Sequence, residues 1–171
     1  MIHIYTGNGK GKTTAAVGLA VRAAGAGMRV CFTQLLKNGS SSEIIILKKL
    51  GILVSCAENC NKFTFAMTDQ ERCDLAEEHN YLLKTAEILM QNKKVDLLVL
   101  DEFMAAYNGG LLNRELAAKI LETAARSETE LVLTGRNAPE QFVEMADYVT
   151  IMEARKHPYE QGITARKGIE Y

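Results

Sequence analysis

The segment Thr6-Gly7-Asn8-Gly9-Lys10-Gly11-Lys12-Thr13-Thr14 concentrates the residue types that bind phosphate. Glycines let backbone N–H groups converge on anionic oxygens without a Cβ in the way. A helix opening directly afterwards adds the partial positive charge of its N-terminus. Lys12 is placed to sit on the phosphates, and the Thr13 hydroxyl to take Mg²⁺. Asn8, Lys10 and Thr14 complete the lining of the loop. The spacing departs from the usual form, in which four residues separate the first glycine from Gly-Lys-Ser/Thr. Here only Asn8, Gly9 and Lys10 lie between Gly7 and Gly11, and Thr6 holds the place of the first glycine. A loop one residue tighter need not hold a triphosphate in the usual direction. The bland alternative is a glycine-rich turn with chance lysines.

A second chemical feature is Asp101-Glu102, at the end of the apolar run from Val95 to Leu100. A carboxylate at the C-terminal end of a buried parallel strand faces the ligand crevice. With Thr13, Asp101 and Glu102 form a candidate Mg²⁺ site, the carboxylates acting directly or through water. The alternative is a solvated acidic pair. Other candidates are weaker. Cys56-x-x-x-Cys60 lacks a second ligand pair, so idle thiols are the default. His3, His79 and His157 are scattered, with His79 expected on a helix surface. Arg22 and Arg136 are candidates for phosphate or ribose contacts, with surface salt bridging as the alternative. Phe63 and Phe65 alternate across a short segment read as extended, where simple core packing is the plain explanation.

These groups need elements to hold them. Strands are expected at Ile2–Tyr5, Val30–Leu35, Ile52–Ser55, Val95–Leu100, Leu131–Thr134 and Tyr148–Met152. Helices are expected at Thr13–Ala26, with Val17, Val21 and Ala24 on its inner face, and at Glu43–Leu50. A Thr68-x-x-Glu71 capping box opens a long helix to about Asn92, with Leu75, Leu82, Ala86 and Leu89 facing inward. Asn113 caps a further helix to Arg126, and Pro139 starts a short one reaching Met145. Strand and helix alternate, so the expected class is α/β, a mostly parallel sheet with helices on both faces. The tail from Glu153 to Tyr171 is polar and shows no period.

The 171 residues suit a single domain, 1–171, with a folded surface of roughly 8,300 Å² by size scaling. A net charge of −1 argues against a general nucleic-acid or membrane-surface binder. No apolar run approaches a membrane span, and no basic start with an apolar stretch marks a signal peptide. Four cysteines without framework spacing fit a reducing cytoplasm.

The chain closely resembles the P-loop class of ATP:corrinoid adenosyltransferases. The shortened loop Thr6 to Ala16 is that family's form. Arg22 with Gly25, Gln34-x-x-Lys37, Phe63-Thr64-Phe65, Leu100-Asp101-Glu102 and Thr134-Gly135-Arg136 also match. So do Lys156-His157, Gly162 and the closing Gly168-Ile169-Glu170-Tyr171, and the similarity covers essentially the whole chain. The resemblance implies a RecA-like sheet, a homodimer and ATP lying reversed in the loop. It implies transfer of the 5′-deoxyadenosyl group to Co(I) of a corrinoid, with Mg²⁺ or Mn²⁺ and with a reduced flavoprotein as electron donor. Phe63 and Phe65 would then form an apolar wall against the corrinoid, displacing its lower axial ligand. Two features depart from the family pattern: five residues precede Thr6 where members carry an N-terminal arm, and Phe65 stands where a tryptophan is usual. A small P-loop metabolite or nucleoside kinase, or a non-catalytic ATP-binding regulatory subunit, are the other readings of the same loop.

Overall fold

The computed structural model describes residues 1–60, 62 and 64–170. Six parallel strands form its sheet: β1 (Ile2–Thr6), β2 (Val30–Gln34), β3 (Leu53–Cys56), β4 (Leu97–Asp101), β5 (Glu130–Thr134) and β6 (Tyr148–Ile151). Their order is β3-β2-β4-β5-β1-β6. The expected strands therefore all form, with ends shifted by one or two residues.

The helices are α1 (Lys12–Gly25), α2 (Ser42–Lys49), α3 (Asp69–Gln91), α4 (Phe103–Asn108), α5 (Arg114–Ala125) and α6 (Glu140–Met145). The capping box at Thr68 is present with both of its bonds, and the Asn113 side chain accepts the Leu116 N–H. The short α4 directly after Glu102 has no counterpart in the sequence reading. At six residues it is too short to display a helical period.

Strand alternation divides the core between the two faces. Leu98, Leu100, Leu131 and Leu133 pack with Leu75, Leu83, Ile120, Leu121 and Phe142 on the α3–α6 side. Leu97, Val99 and Val132 turn to the other side, with Ala16, Ala20, Ala23, Ile44 and Leu47 of α1 and α2. Side chains that alternate while both faces are covered explain why β4 reads as an unbroken apolar run.

Two helix faces differ from expectation. The buried stripe of α1 is Ala16, Ala20 and Ala23, whereas Val21 is exposed. Small side chains let α1 lie close over the sheet, and the branched valines sit at the margin. On α3 the buried stripe is Leu75, His79, Leu83, Ala86 and Met90; Leu82 and Leu89 only flank it. His79 is therefore a core residue, not a surface one.

The accessible surface, 9762 Å², exceeds the size-scaling value. The residues after Glu153 lie open, with one short 3₁₀ turn at Pro158–Gln161, and are the visible source of the excess. No helix among the described residues is long and apolar enough to cross a membrane.

Candidate active site

β1 runs through Thr6, so only Gly7 to Gly11 separate it from α1, and the loop is tight because the strand claims its first position. The Thr6 carbonyl accepts the Met152 N–H at 2.8 Å, and the Gly9 N–H donates to the Met152 carbonyl at 2.7 Å. The loop is thus stitched to the residue following β6. A Cβ on Gly9 would lie 2.8 Å from the Met152 oxygen, and one on Gly7 would lie 2.9 Å from the Met152 nitrogen. These two glycines are required by chain packing as well as by access for a phosphate.

Lys12 donates to the carbonyls of Gly7 at 2.9 Å and Gly9 at 2.7 Å, bracing the loop from its concave side. Its ammonium pKa is held below the ordinary lysine value, first by burial and then by Arg136; Glu102 and Asp101 oppose this. Residues Asn8 to Thr14 line a cleft of about 250 Å³ together with Glu102 and Arg136. The tail closes the other side through His157, Ile169 and Glu170. Arg136 is therefore at the site. Arg22 lies on an exposed face near the far end of α1, where its charge acts on Tyr5, and the fold does not bring it to the cleft.

Asp101 ends β4, two places from β1 in the sheet, with β5 between them. It is fully buried and collects four donors. Thr13 and Thr134 hydroxyls donate to Oδ1 at 2.8 and 2.7 Å; Gln34 Nε2 and Lys37 Nζ donate to Oδ2 at 3.3 and 3.4 Å. Thr13 and Asp101 are thus brought together across 88 residues of sequence.

Glu102 takes a left-handed backbone, φ 61°, with its N–H donating to the Thr134 hydroxyl at 2.9 Å. This turn ends β4, starts α4 and leaves the Glu102 side chain lining the cleft. Burial raises the Glu102 pKa, and the charge of Asp101 adds to the rise; Lys37, Lys12 and Arg136 pull it back. Two carboxylates and three cations therefore act on one another around the cleft.

Residues of this site that sequence reasoning assigned no role are Gln34, Lys37 and Thr134. The only signal for them was their place in motifs shared with the adenosyltransferases. The tail's position over the loop was likewise invisible to periodicity. Phe63 lies outside the described residues. Phe65 belongs to a 3₁₀ turn, Thr64–Ala66, rather than to an extended segment, and it is 86% exposed, which removes core packing as its explanation.

A glycine-rich loop between the first strand and a helix, with a buried aspartate one strand removed, defines a nucleotide-binding P-loop protein of the RecA-like type. Consistent with that fold, the structure is similar to a KaiC-like protein from Pyrococcus horikoshii OT3, with a TM-score of 0.52 at 15% identity, over 91% of this chain and 73% of that one. The family model described as ATP:corrinoid adenosyltransferase BtuR/CobO/CobP matches residues 1–171. The chain is 36% identical to the corrinoid adenosyltransferase of Pseudomonas aeruginosa, over 98% of this chain and 82% of that protein. It is 31% identical to the corrinoid adenosyltransferase of Escherichia coli K12, over all of this chain and 85% of that one. The chain belongs to the ATP:corrinoid adenosyltransferase family.

Proposed function

We propose that this protein transfers the 5′-deoxyadenosyl group of ATP to the Co(I) centre of a reduced corrinoid and releases triphosphate. The observation that carries this reading, beside family membership, is the junction of the tight loop with Asp101 through Thr13. The donor set fits Mg²⁺ or Mn²⁺: a threonine hydroxyl, a buried carboxylate and the Gln34 Oε1, which has no partner among the described residues, are all hard oxygens. Thr13 and Glu102, which line the cleft, would hold the ion, and Asp101, whose oxygens already accept four bonds, would fix the Thr13 hydroxyl or act through water. When bound, the ion supplies positive charge to the leaving triphosphate. Lys12, Arg136 and the loop amides do the same from the protein side. In the reaction a Co–C bond forms to C5′ as the C5′–O bond breaks, and triphosphate leaves with the electron pair. Co(I) is itself a strong nucleophile, so the chain needs no activated serine or cysteine. Its work is to align C5′ and keep water out.

The test follows the leaving group. Phosphorus NMR of a reaction with ATP, Mg²⁺ and chemically reduced cobalamin should show inorganic triphosphate and no ADP. Stoichiometric ADP would replace this reading with that of a kinase, and binding of ATP with no adenosylated product would favour a regulatory subunit.

Phe65 supports a role at the corrinoid. Its ring is 86% exposed, so an apolar ligand can reach it. An apolar wall offers no lone pair to cobalt, so it favours loss of the lower axial ligand and eases reduction of Co(II). Phe65→Ala should therefore slow turnover from Co(II) with a mild reductant by roughly tenfold or more, the value of one buried phenylalanine. Turnover from preformed Co(I) should change much less. Equal losses in the two assays would limit Phe65 to a structural role. The same reading includes a reduced flavoprotein donor, a homodimer, a cytoplasmic setting and one unit spanning residues 1–171.

A further inference from the structure

The chain leaves β2 through Leu36, whose backbone is left-handed at φ 55°. A γ-branched residue without glycine's freedom holds that conformation only against strain. Its amide donates to Nε2 of His79 at 3.3 Å, a contact spanning 43 residues. The next residue, Lys37, then reaches Oδ2 of Asp101. His79 itself sits at zero exposure on the inner face of α3, between Leu75 and Leu83. Its other ring nitrogen, Nδ1, has no hydrogen-bond partner among the described residues.

An apolar side chain of similar volume would fill this space without burying an unpaired nitrogen. What the imidazole adds is one acceptor aimed at one backbone amide. Burial lowers its pKa to about 4, so near neutral pH the ring is neutral, and acceptance of the Leu36 N–H by Nε2 puts its single proton on Nδ1.

We propose that His79 is a positioning residue of the active site: by holding the Leu36 amide it keeps the turn that sets Lys37 against Asp101. Lys37 and Gln34 occupy Oδ2, which leaves Oδ1 directed at Thr13 and Thr134. His79 thus acts on the phosphate-loop side of Asp101 from the opposite side of the carboxylate, with no contact to a substrate. This inference rests on the reading of the cleft as an ATP site.

The test is a double-mutant cycle read by calorimetric affinity for ATP with Mg²⁺, with adenosyl transfer followed in parallel. Lys37→Met should weaken binding about tenfold, as expected for loss of one charge-assisted bond. His79→Leu should weaken it to a similar extent, and the double variant should be no worse than the weaker single variant. His79→Gln, whose Oε1 can reach the same amide, should restore most of the affinity. Exchange of the Leu36 amide should speed up in His79→Leu and stay slow in Lys37→Met. Additive losses, unchanged affinity, or failure of glutamine to restore binding would overturn the proposal. If His79→Leu does not fold, His79→Asn, polar but too short, takes its place in the cycle. Absence of adenosyl transfer in a wild type that binds ATP would defeat the functional reading while leaving the cycle readable. A wild type that binds no ATP would overturn both.

Discussion

Replacing Asp101 by asparagine should destabilise the fold by about 3 kcal/mol, seen as a lower melting temperature, and should slow adenosyl transfer as well. The substitution conserves shape and removes the charge. The carboxylate accepts from Thr13 and Thr134 on one oxygen and from Gln34 and Lys37 on the other. An amide has one acceptor oxygen, so whichever way it turns, two donors meet its NH₂ group. Removing one member of a buried pair generally costs about 3–5 kcal/mol; the lower end applies because Lys37 keeps partial exposure to water. The damage should also reach Glu102, since Thr134 accepts the Glu102 N–H while donating to Asp101. Thermal unfolding and transfer kinetics measured well below the transition would check both parts. Wild-type kinetics in the variant would mean that the metal and phosphate chemistry lies elsewhere.

Lys12→Ala should reduce kcat/KM by roughly 30- to 150-fold, equivalent to about 2–3 kcal/mol for a charge-assisted contact in a partly desolvated site. Two effects combine. The ammonium is lost from the place where negative charge leaves, and the loop loses the two bonds that tie Gly7 and Gly9 to the helix start. Lys12→Arg separates them, because it keeps the charge while its planar, larger head does not fit the same pair of carbonyls. A loss in Lys12→Arg as large as in Lys12→Ala would assign the role to loop geometry, and a much smaller one would assign it to charge. Unfolding midpoints close to wild type should accompany both variants, since the side chain is only partly buried.

The local features of this chain were open to reading because each has a local cause. The loop Thr6 to Thr14 declares itself through glycine content and through its place between a strand and a helix. The Thr68–Glu71 box and the Asn113 cap are hydrogen bonds spanning three residues, so neighbouring residue types suffice to specify them. The alternation of apolar runs with helical stretches fixed the α/β class, because a strand that is apolar on both sides must be covered on both sides.

What the tertiary structure alone decided were contacts whose partners lie far apart in sequence. Thr13 meets Asp101 because the order β4-β5-β1 puts one strand between them, and no periodicity encodes strand order. Thr134 belongs to the site because it ends that intervening strand. His79 fell on the wrong side of α3 in the sequence reading because one histidine among polar neighbours does not reveal which stripe of a long helix is covered. Arg22 separates from the loop because α1 carries it about ten residues, near 15 Å of helix rise, away from Lys12. Gly7 and Gly9 looked like phosphate ligands only; their second task, making room for the Met152 backbone, exists only once β6 lies beside β1. Residue type and spacing determined which chemistry this chain can hold, and the packing of distant strands determined which groups hold it, because hydrogen bonds and burial depend on distance in space.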